Sequence, residues 1–279
     1  MSYERWPSST GAGPSIVLIH GIGHRRQAWR DVVPLLSDDF DIITVDLPGH
    51  GESPDIDLDG RSAKDAVRAE LETLLDHLGV TKPVVVGNSL GGMIALEAAT
   101  DQIASSVVCL SPAGFWRNPI EFAYIRSLFA AMIGAGRLVR PIAPLLAETT
   151  IGRTIMFSWL AAHPTRVRPD DAVGDLDGLI RALPTLRGLF KQAYSFDAEV
   201  SPEVPVTIAW SAQDRVLWPG EARRAQRLIP HATVFELEGC GHVPMLDDPE
   251  LVAQTIRDHI ASLPRHRKVA SPVTEYVTI

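Results

Sequence analysis

Apolar residues in this chain fall into short unbroken runs, separated by stretches in which they recur every three or four positions. The runs are Ile16-Val17-Leu18-Ile19, Asp41-Ile42-Ile43-Thr44-Val45-Asp46, Val84-Val85-Val86, Ser106-Val107-Val108-Cys109-Leu110, Val206-Thr207-Ile208-Ala209-Trp210 and Thr233-Val234-Phe235-Glu236-Leu237. Continuous apolar strands of this length, spaced by helices, predict an α/β fold with a mostly parallel sheet covered on both faces. Between the second and third runs, Val67, Leu71, Leu74, Leu75 and Leu78 share one helical face. Ser62 followed by Asp65 caps that helix and Gly79 ends it. Near the end of the chain, Asp248-Pro249 predicts a second helix start, with Leu251, Val252, Ile256 and Ile260 as its buried face.

The alternation stops between 113 and 203. That stretch has no convincing strand, and its helical runs (Phe122-Ala123-Tyr124-Ile125, and 155–160) are interrupted by Pro141, Pro144, Pro164, Pro169 and Pro184. It reads as a helical cap inserted over the carboxyl edge of the sheet. The expected organisation is a core of 1–112 and 204–264, a cap of 113–203, and a surface tail of 265–279. No repeat or low-complexity segment is visible.

Composition narrows the partners. The 279 residues carry a net charge of −8, against the basic surface that sequence-independent nucleic-acid binding needs. Two cysteines, Cys109 and Cys240, make neither a disulfide framework nor a metal spacing. The first residues lack an apolar leader and no run approaches ~18 apolar residues, so a cytoplasmic chain without a membrane span is expected. Oligomeric state is not legible.

The chemistry centres on Gly87-Asn88-Ser89-Leu90-Gly91, between a strand-like and a helix-like run. A serine between glycines at such a junction is the pattern of a nucleophile on a tight strand-to-helix turn. Serine needs a base, a group to orient that base, and donors for the oxyanion. The base candidate is His242, in a glycine-bearing loop after the last strand. His20, His24, His50 and His231 are its rivals. The acid candidate is Asp214, just past the strand ending at Trp210; the loop after Leu110 holds no carboxylate. The oxyanion donors would be the backbone N–H groups of Leu90, opening the helix, and of Ile22, in His20-Gly21-Ile22-Gly23. That glycine pair is not a dinucleotide fingerprint, because the third glycine would fall at Arg26. There is no P-loop and no His-Glu-x-x-His, and no metal or other cofactor is expected.

Together these segments resemble the α/β-hydrolase superfamily. The matching stretches are Leu18 to Gly23 with Trp29, Asp46-Leu47-Pro48-Gly49-His50-Gly51-Glu52-Ser53, Gly87 to Gly92, Trp210 to Asp214, and Gly241-His242. The resemblance implies an α/β-hydrolase fold with Ser89 as nucleophile, His242 as general base, Asp214 as its orienter, and Ile22 and Leu90 as oxyanion hole. A serine at 89 sets the chain apart from the haloalkane dehalogenase and epoxide hydrolase branches, which carry aspartate there. Asn88 is similar to the meta-cleavage-product hydrolases, which break carbon–carbon bonds, but these continue the first motif with Gly-Pro-Gly where this chain has His24-Arg25-Arg26. Only fourteen residues precede Ser15, so the family's first two strands must be short or partly missing. In this the chain resembles compact carboxylesterases acting on acyl-carrier-protein methyl esters. Arg117, Arg126, Arg137, Arg140, Arg153, Arg166 and Arg168, facing chiefly Glu121 and Glu148, could dock such an acidic carrier.

The expectation is a serine hydrolase for a small carboxylic ester or lactone, with carbon–carbon hydrolysis or a non-hydrolytic or cyclase use of the scaffold as alternatives. Trp116, Phe122, Phe157, Trp159, Trp218 and Met245 are the expected pocket lining.

Overall fold

A computed structural model describes residues 1–11, 13–116, 118–183, 186, 188 and 195–264. The expected surface tail, Arg117 and Pro184 lie outside these. Seven strands form one sheet in the order β1-β3-β2-β4-β5-β6-β7. They are β1 (Tyr3–Trp6), β2 (Ser15–Ile19), β3 (Asp41–Val45), β4 (Val84–Asn88), β5 (Ser106–Leu110), β6 (Val206–Ser211) and β7 (Thr233–Leu237). β2 to β7 pair in parallel, and all six match the apolar runs. Every residue of β4, β5 and β6 is buried, so both faces of the sheet's centre are covered.

The sequence pattern misses β1. Its four residues, Tyr-Glu-Arg-Trp, have no apolar run, and it pairs antiparallel with β3 at the sheet edge. A side-chain fork fixes the pairing: Arg5 donates from Nε and Nη2 to the two Asp41 oxygens, each at 2.9 Å. Among the described residues, one short strand precedes β2.

The helices α1 (Ala63–Leu78) and α2 (Leu90–Thr100) flank β4 in sequence. Ser62 caps α1, its hydroxyl accepting from the Asp65 N–H at 3.1 Å, and Gly79 closes it with a φ of 65°. Between β5 and β6 come α3 (Pro119–Val139), α4 (Ala143–Glu148), α5 (Thr150–Phe157) and α6 (Pro169–Arg181). This is the helical insertion that the broken alternation predicts. Its prolines act at starts: Pro119, Pro144 and Pro169 sit in first turns, where a missing N–H costs nothing. After β6 come α7 (Ala222–Leu228), α8 (Pro244–Asp247) and α9 (Pro249–Ser262), the last capped by Asp248 as expected.

Two expectations change. Pro119–Glu148 is long and apolar enough to cross a bilayer by length and composition. In the fold, α3 buries a stripe of Glu121, Ile125, Phe129 and Ile133 at every fourth residue, which is the pattern of a helix packed on protein. The insertion's arginines are also less free than expected. Arg168 pairs with Asp31 at 2.8 Å, Arg140 with Asp177, and Arg166 donates to the Asp247 carbonyl. Arg153 donates to the Ala147 carbonyl at 2.7 Å.

Candidate active site

Ser89 directly follows β4 and precedes α2, with φ 55° and ψ −115°. A non-glycine residue held there is strained, and such strain persists only where surrounding structure enforces it. Here the Ser89 N–H donates to the Leu110 carbonyl at 3.0 Å, and the Ser89 carbonyl accepts from the N–H groups of Met93 and Ala113. The neighbouring glycines are obligatory by packing. A Cβ on Gly87 would lie 2.0 Å from the Gly91 oxygen, and one on Gly91 2.3 Å from the Ile19 oxygen. The turn folds α2 directly onto β2 and β4, leaving Ser89 at the sheet's carboxyl edge.

Asp214 and His242 meet there. His242 Nδ1 lies 2.8 Å from Asp214 Oδ2, and both side chains are almost fully buried. The other oxygen, Oδ1, accepts from the N–H groups of Val216 and Leu217 at 2.8 Å each. A carboxylate so occupied can only accept from His242, so the imidazole carries its proton on Nδ1 and leaves the Nε2 lone pair free. The Ser89 hydroxyl and His242 are not hydrogen-bonded to each other; such bonds are often long without substrate. Asn88 joins their elements instead. Its Nδ2 donates to the His242 carbonyl at 2.9 Å and to the Leu110 carbonyl at 3.1 Å. The asparagine that resembles a carbon–carbon hydrolase thus has a mechanical role of its own.

A further residue that sequence reasoning missed, Asp247 at the end of α8, organises the histidine loop from below. Its fully buried carboxylate accepts from the N–H groups of Gly241 (2.7 Å), Ala162 (3.0 Å) and His163 (2.6 Å). The Val243 N–H donates to the Leu160 carbonyl at 3.2 Å. The histidine loop is therefore stitched to the insertion. An aspartate three residues after a proline carries no sequence signal for this.

The rival histidines are placed elsewhere. His20 Nε2 accepts from the Leu47 N–H (3.0 Å), so its Nδ1–H donates to the Gly21 carbonyl (2.7 Å). Burial, reinforced by neighbouring His50, holds its pKa well below the ordinary range. A neutral His20 therefore braces the Gly21-Ile22 loop. His50 bonds the Pro48 carbonyl, and His231 is exposed. His24 meets Asp175 of α6 at 3.1 Å. Arg26, where a fingerprint glycine would fall, is buried among Asp46, Glu4 and Glu52.

Two cavities adjoin the site. The smaller, about 60 Å³, is lined by Ser89, Ile22, Leu90, Met93, Ala113, Trp116, Phe122, Ile125, Phe129, Val216 and Leu217. Ile22 and Leu90 thus line the same cavity as Ser89, and a Cβ on Gly21 would come within 3.0 Å of the Ser89 Cβ. The larger, about 200 Å³, is lined by Ile22, His24, Phe157, Trp159, Leu160, Asp175 and further apolar residues of α3, α5 and α6. Trp116 and Phe122 therefore line one cavity, Phe157 and Trp159 the other. Trp218 and Met245 line neither. The loop after β6 presents Val216 and Leu217, and by Trp218 it has turned out to solvent, where that ring packs on Tyr124 with centroids 5.1 Å apart. Met245, on α8, is 2% exposed in the core.

This fold, with a strained serine on the strand–helix turn and an aspartate–histidine pair beside it, defines a class of hydrolytic enzyme. The alpha/beta hydrolase family model matches residues 16–255. The chain belongs to that family and is a hydrolase. It is 29% identical over 263 residues to the uncharacterized protein Rv2715 of Mycobacterium tuberculosis, covering 88% of this chain and 75% of that one. It is 28% identical over 264 residues to the human monoacylglycerol lipase ABHD6, covering 91% and 77%. The crystal structure of a serine hydrolase involved in carbazole degradation, the CarC enzyme, superposes with a TM-score of 0.68 at 20% identity, covering 93% of this chain and 99% of that one.

Proposed function

We propose that the protein is a serine esterase that cleaves a small carboxylic ester through an acyl-enzyme. The observation that carries this reading is the Asp214–His242 pair at 2.8 Å beside the cavity that holds Ser89. His242 Nε2 takes the Ser89 proton as Oγ attacks the ester carbonyl. The oxyanion is met by the N–H groups of Leu90, at the positive end of α2, and Ile22. Protonated His242 is stabilised by Asp214 and returns the proton to the leaving alkoxide. Water, deprotonated by the same nitrogen, then releases the acid.

The helical insertion acts as the cap of this site. Its side chains make both cavities apolar, which favours uncharged substrates and strengthens the oxyanion contacts by excluding water. The acyl group belongs in the smaller cavity, against Met93, Trp116 and Phe129, so short acyl chains are preferred. Ser89→Ala is the test. It should lower kcat for p-nitrophenyl butyrate by about 10⁶-fold, the scale of losing a nucleophile that works as a unit with its base. Turnover by the variant near the wild-type rate would remove the mechanism.

A further inference from the structure

The larger cavity is apolar except at one place. Among the described residues, His24 and Asp175 are the only ionisable side chains that line it. Both are less than a tenth exposed. His24 Nδ1 lies 3.1 Å from Asp175 Oδ2, and Arg25 Nε lies 3.6 Å from the other carboxylate oxygen. The carboxylate accepts, so the imidazole proton sits on Nδ1. Nε2 is then a lone-pair acceptor, and it makes no hydrogen bond to any described residue. A ligand that supplies a donor to that nitrogen gains a hydrogen bond on the wall of an otherwise apolar cavity.

The position of the cavity says which half of a substrate reaches it. Ile22 lines both cavities, so the two are neighbours across the oxyanion loop. Leu160 walls the larger one, and its carbonyl accepts from the Val243 N–H, directly after His242. The departing alkoxide must receive its proton from His242, so the alcohol arm lies on this side. The loop bearing His24 is also firmly seated. A Cβ on Gly178 of α6 would come within 2.7 Å of the Gly23 oxygen, and one on Gly23 within 3.0 Å of Leu179. His24 is thus a fixed acceptor on the wall of an apolar chamber.

We propose that the His24–Asp175 pair is a specificity element that accepts a hydrogen bond from a hydroxyl on the alcohol half of the substrate. The substrate class is then an ester of a diol-type alcohol, with an apolar stretch between the ester oxygen and the second hydroxyl. This rests on the esterase reading above. An alkyl end has no donor, and a methoxy end has only an acceptor, so both leave Nε2 unsatisfied.

The experiment compares kcat/KM for butyrate esters whose alcohol arm ends in hydroxyl, methoxy or methyl, over a series of chain lengths. At one length the wild type should favour the hydroxyl-ended ester over both others by roughly 5- to 10-fold, the worth of one net hydrogen bond. His24→Phe should bring that ratio to about one, whatever it does to the absolute rates. If the pair merely latches α6 to the core, all three esters lose rate together and the ratio stays as in the wild type, which overturns the proposal. A wild-type measurement covers the case in which His24→Phe does not fold. The free diol should inhibit p-nitrophenyl butyrate hydrolysis at lower concentration than the alkanol of equal length, and equal inhibition at every length overturns it. Wild-type protein that hydrolyses no ester removes the esterase reading itself, whereas ester hydrolysis without hydroxyl preference removes only this inference.

Discussion

Asp247 holds the loop that bears His242, the proposed catalytic base, and replacing it measures how much of the site depends on that support. Its carboxylate accepts three backbone N–H bonds at 2.6–3.0 Å from a fully buried position. Hydrogen bonds to a charged acceptor are worth ~1.5–3 kcal/mol each. The three share one carboxylate and cannot be added, so Asp247→Ala should cost about 4 kcal/mol of stability, a large part of a domain's usual ~5–15 kcal/mol. Asp247→Asn keeps the shape but turns an amide N–H₂ toward at least one donor, and should cost about 2–3 kcal/mol. Two of the freed N–H groups, on Ala162 and His163, belong to the insertion, and the third, on Gly241, directly precedes His242. Stability and catalysis should therefore fall together. Urea unfolding gives the first, and kcat for p-nitrophenyl butyrate in the folded Asp247→Asn variant gives the second, with a drop of about 10²-fold expected from a displacement of the order of 1 Å. An Asp247→Asn protein within about 0.5 kcal/mol of wild type and equally active would refute the view that this carboxylate holds the histidine loop in place.

Gly91→Ala should lose about 3 kcal/mol by overpacking or fail to fold, because the added Cβ meets the Ile19 carbonyl, which cannot move without disturbing β2; thermal melts of the purified variant check this. Asn88→Ala should lose about 2 kcal/mol and lower kcat more than it raises KM, since the link it cuts joins the serine's strand to the His242 loop; steady-state kinetics against a denaturation curve separate the two effects. His259, buried on α9 with Nδ1 2.8 Å from Thr207 Oγ1, is pushed by burial to a pKa of about 4. The unfolded chain takes up a proton near pH 6.5 and the folded one only near 4, so this contribution is complete above pH 6.5 and is lost as pH falls toward 4, by roughly 3 kcal/mol. Urea midpoints at pH 7.5 and 4.5 should therefore differ more in the wild type than in His259→Gln, and equal differences would refute this assignment.

The sheet was legible because β2 to β6 are buried almost throughout and read as apolar runs, while the edge strand β7, exposed at Thr233, Phe235 and Glu236, still carries β-branched and aromatic residues. β1 was not, because its place at the edge depends on Arg5 meeting Asp41 across the sheet, a tertiary event with no periodicity. The contact of Asp214 with His242 near the Ser89 turn was legible because chain order and the ends of strands constrain all three residues. The cavity walls were not. Trp218 and Met245 are apolar residues near the right loops, yet a single turn decides whether such a side chain meets substrate, solvent or core. Asp175 is one of four aspartates on α6, and only the fold shows that it is the one that meets His24.

The strained backbone at Ser89 sets two demands on one position against each other. A φ of 55° suits glycine, and a non-glycine residue there forfeits of the order of 1 kcal/mol. Glycine at 89 would relieve that strain but would remove the hydroxyl, whereas Gly87 and Gly91 are glycines for a different reason, the close approach of α2 to β2 and β4. The hydroxyl thus comes at the fold's expense, and the residue proposed as nucleophile is also one of the chain's least comfortable.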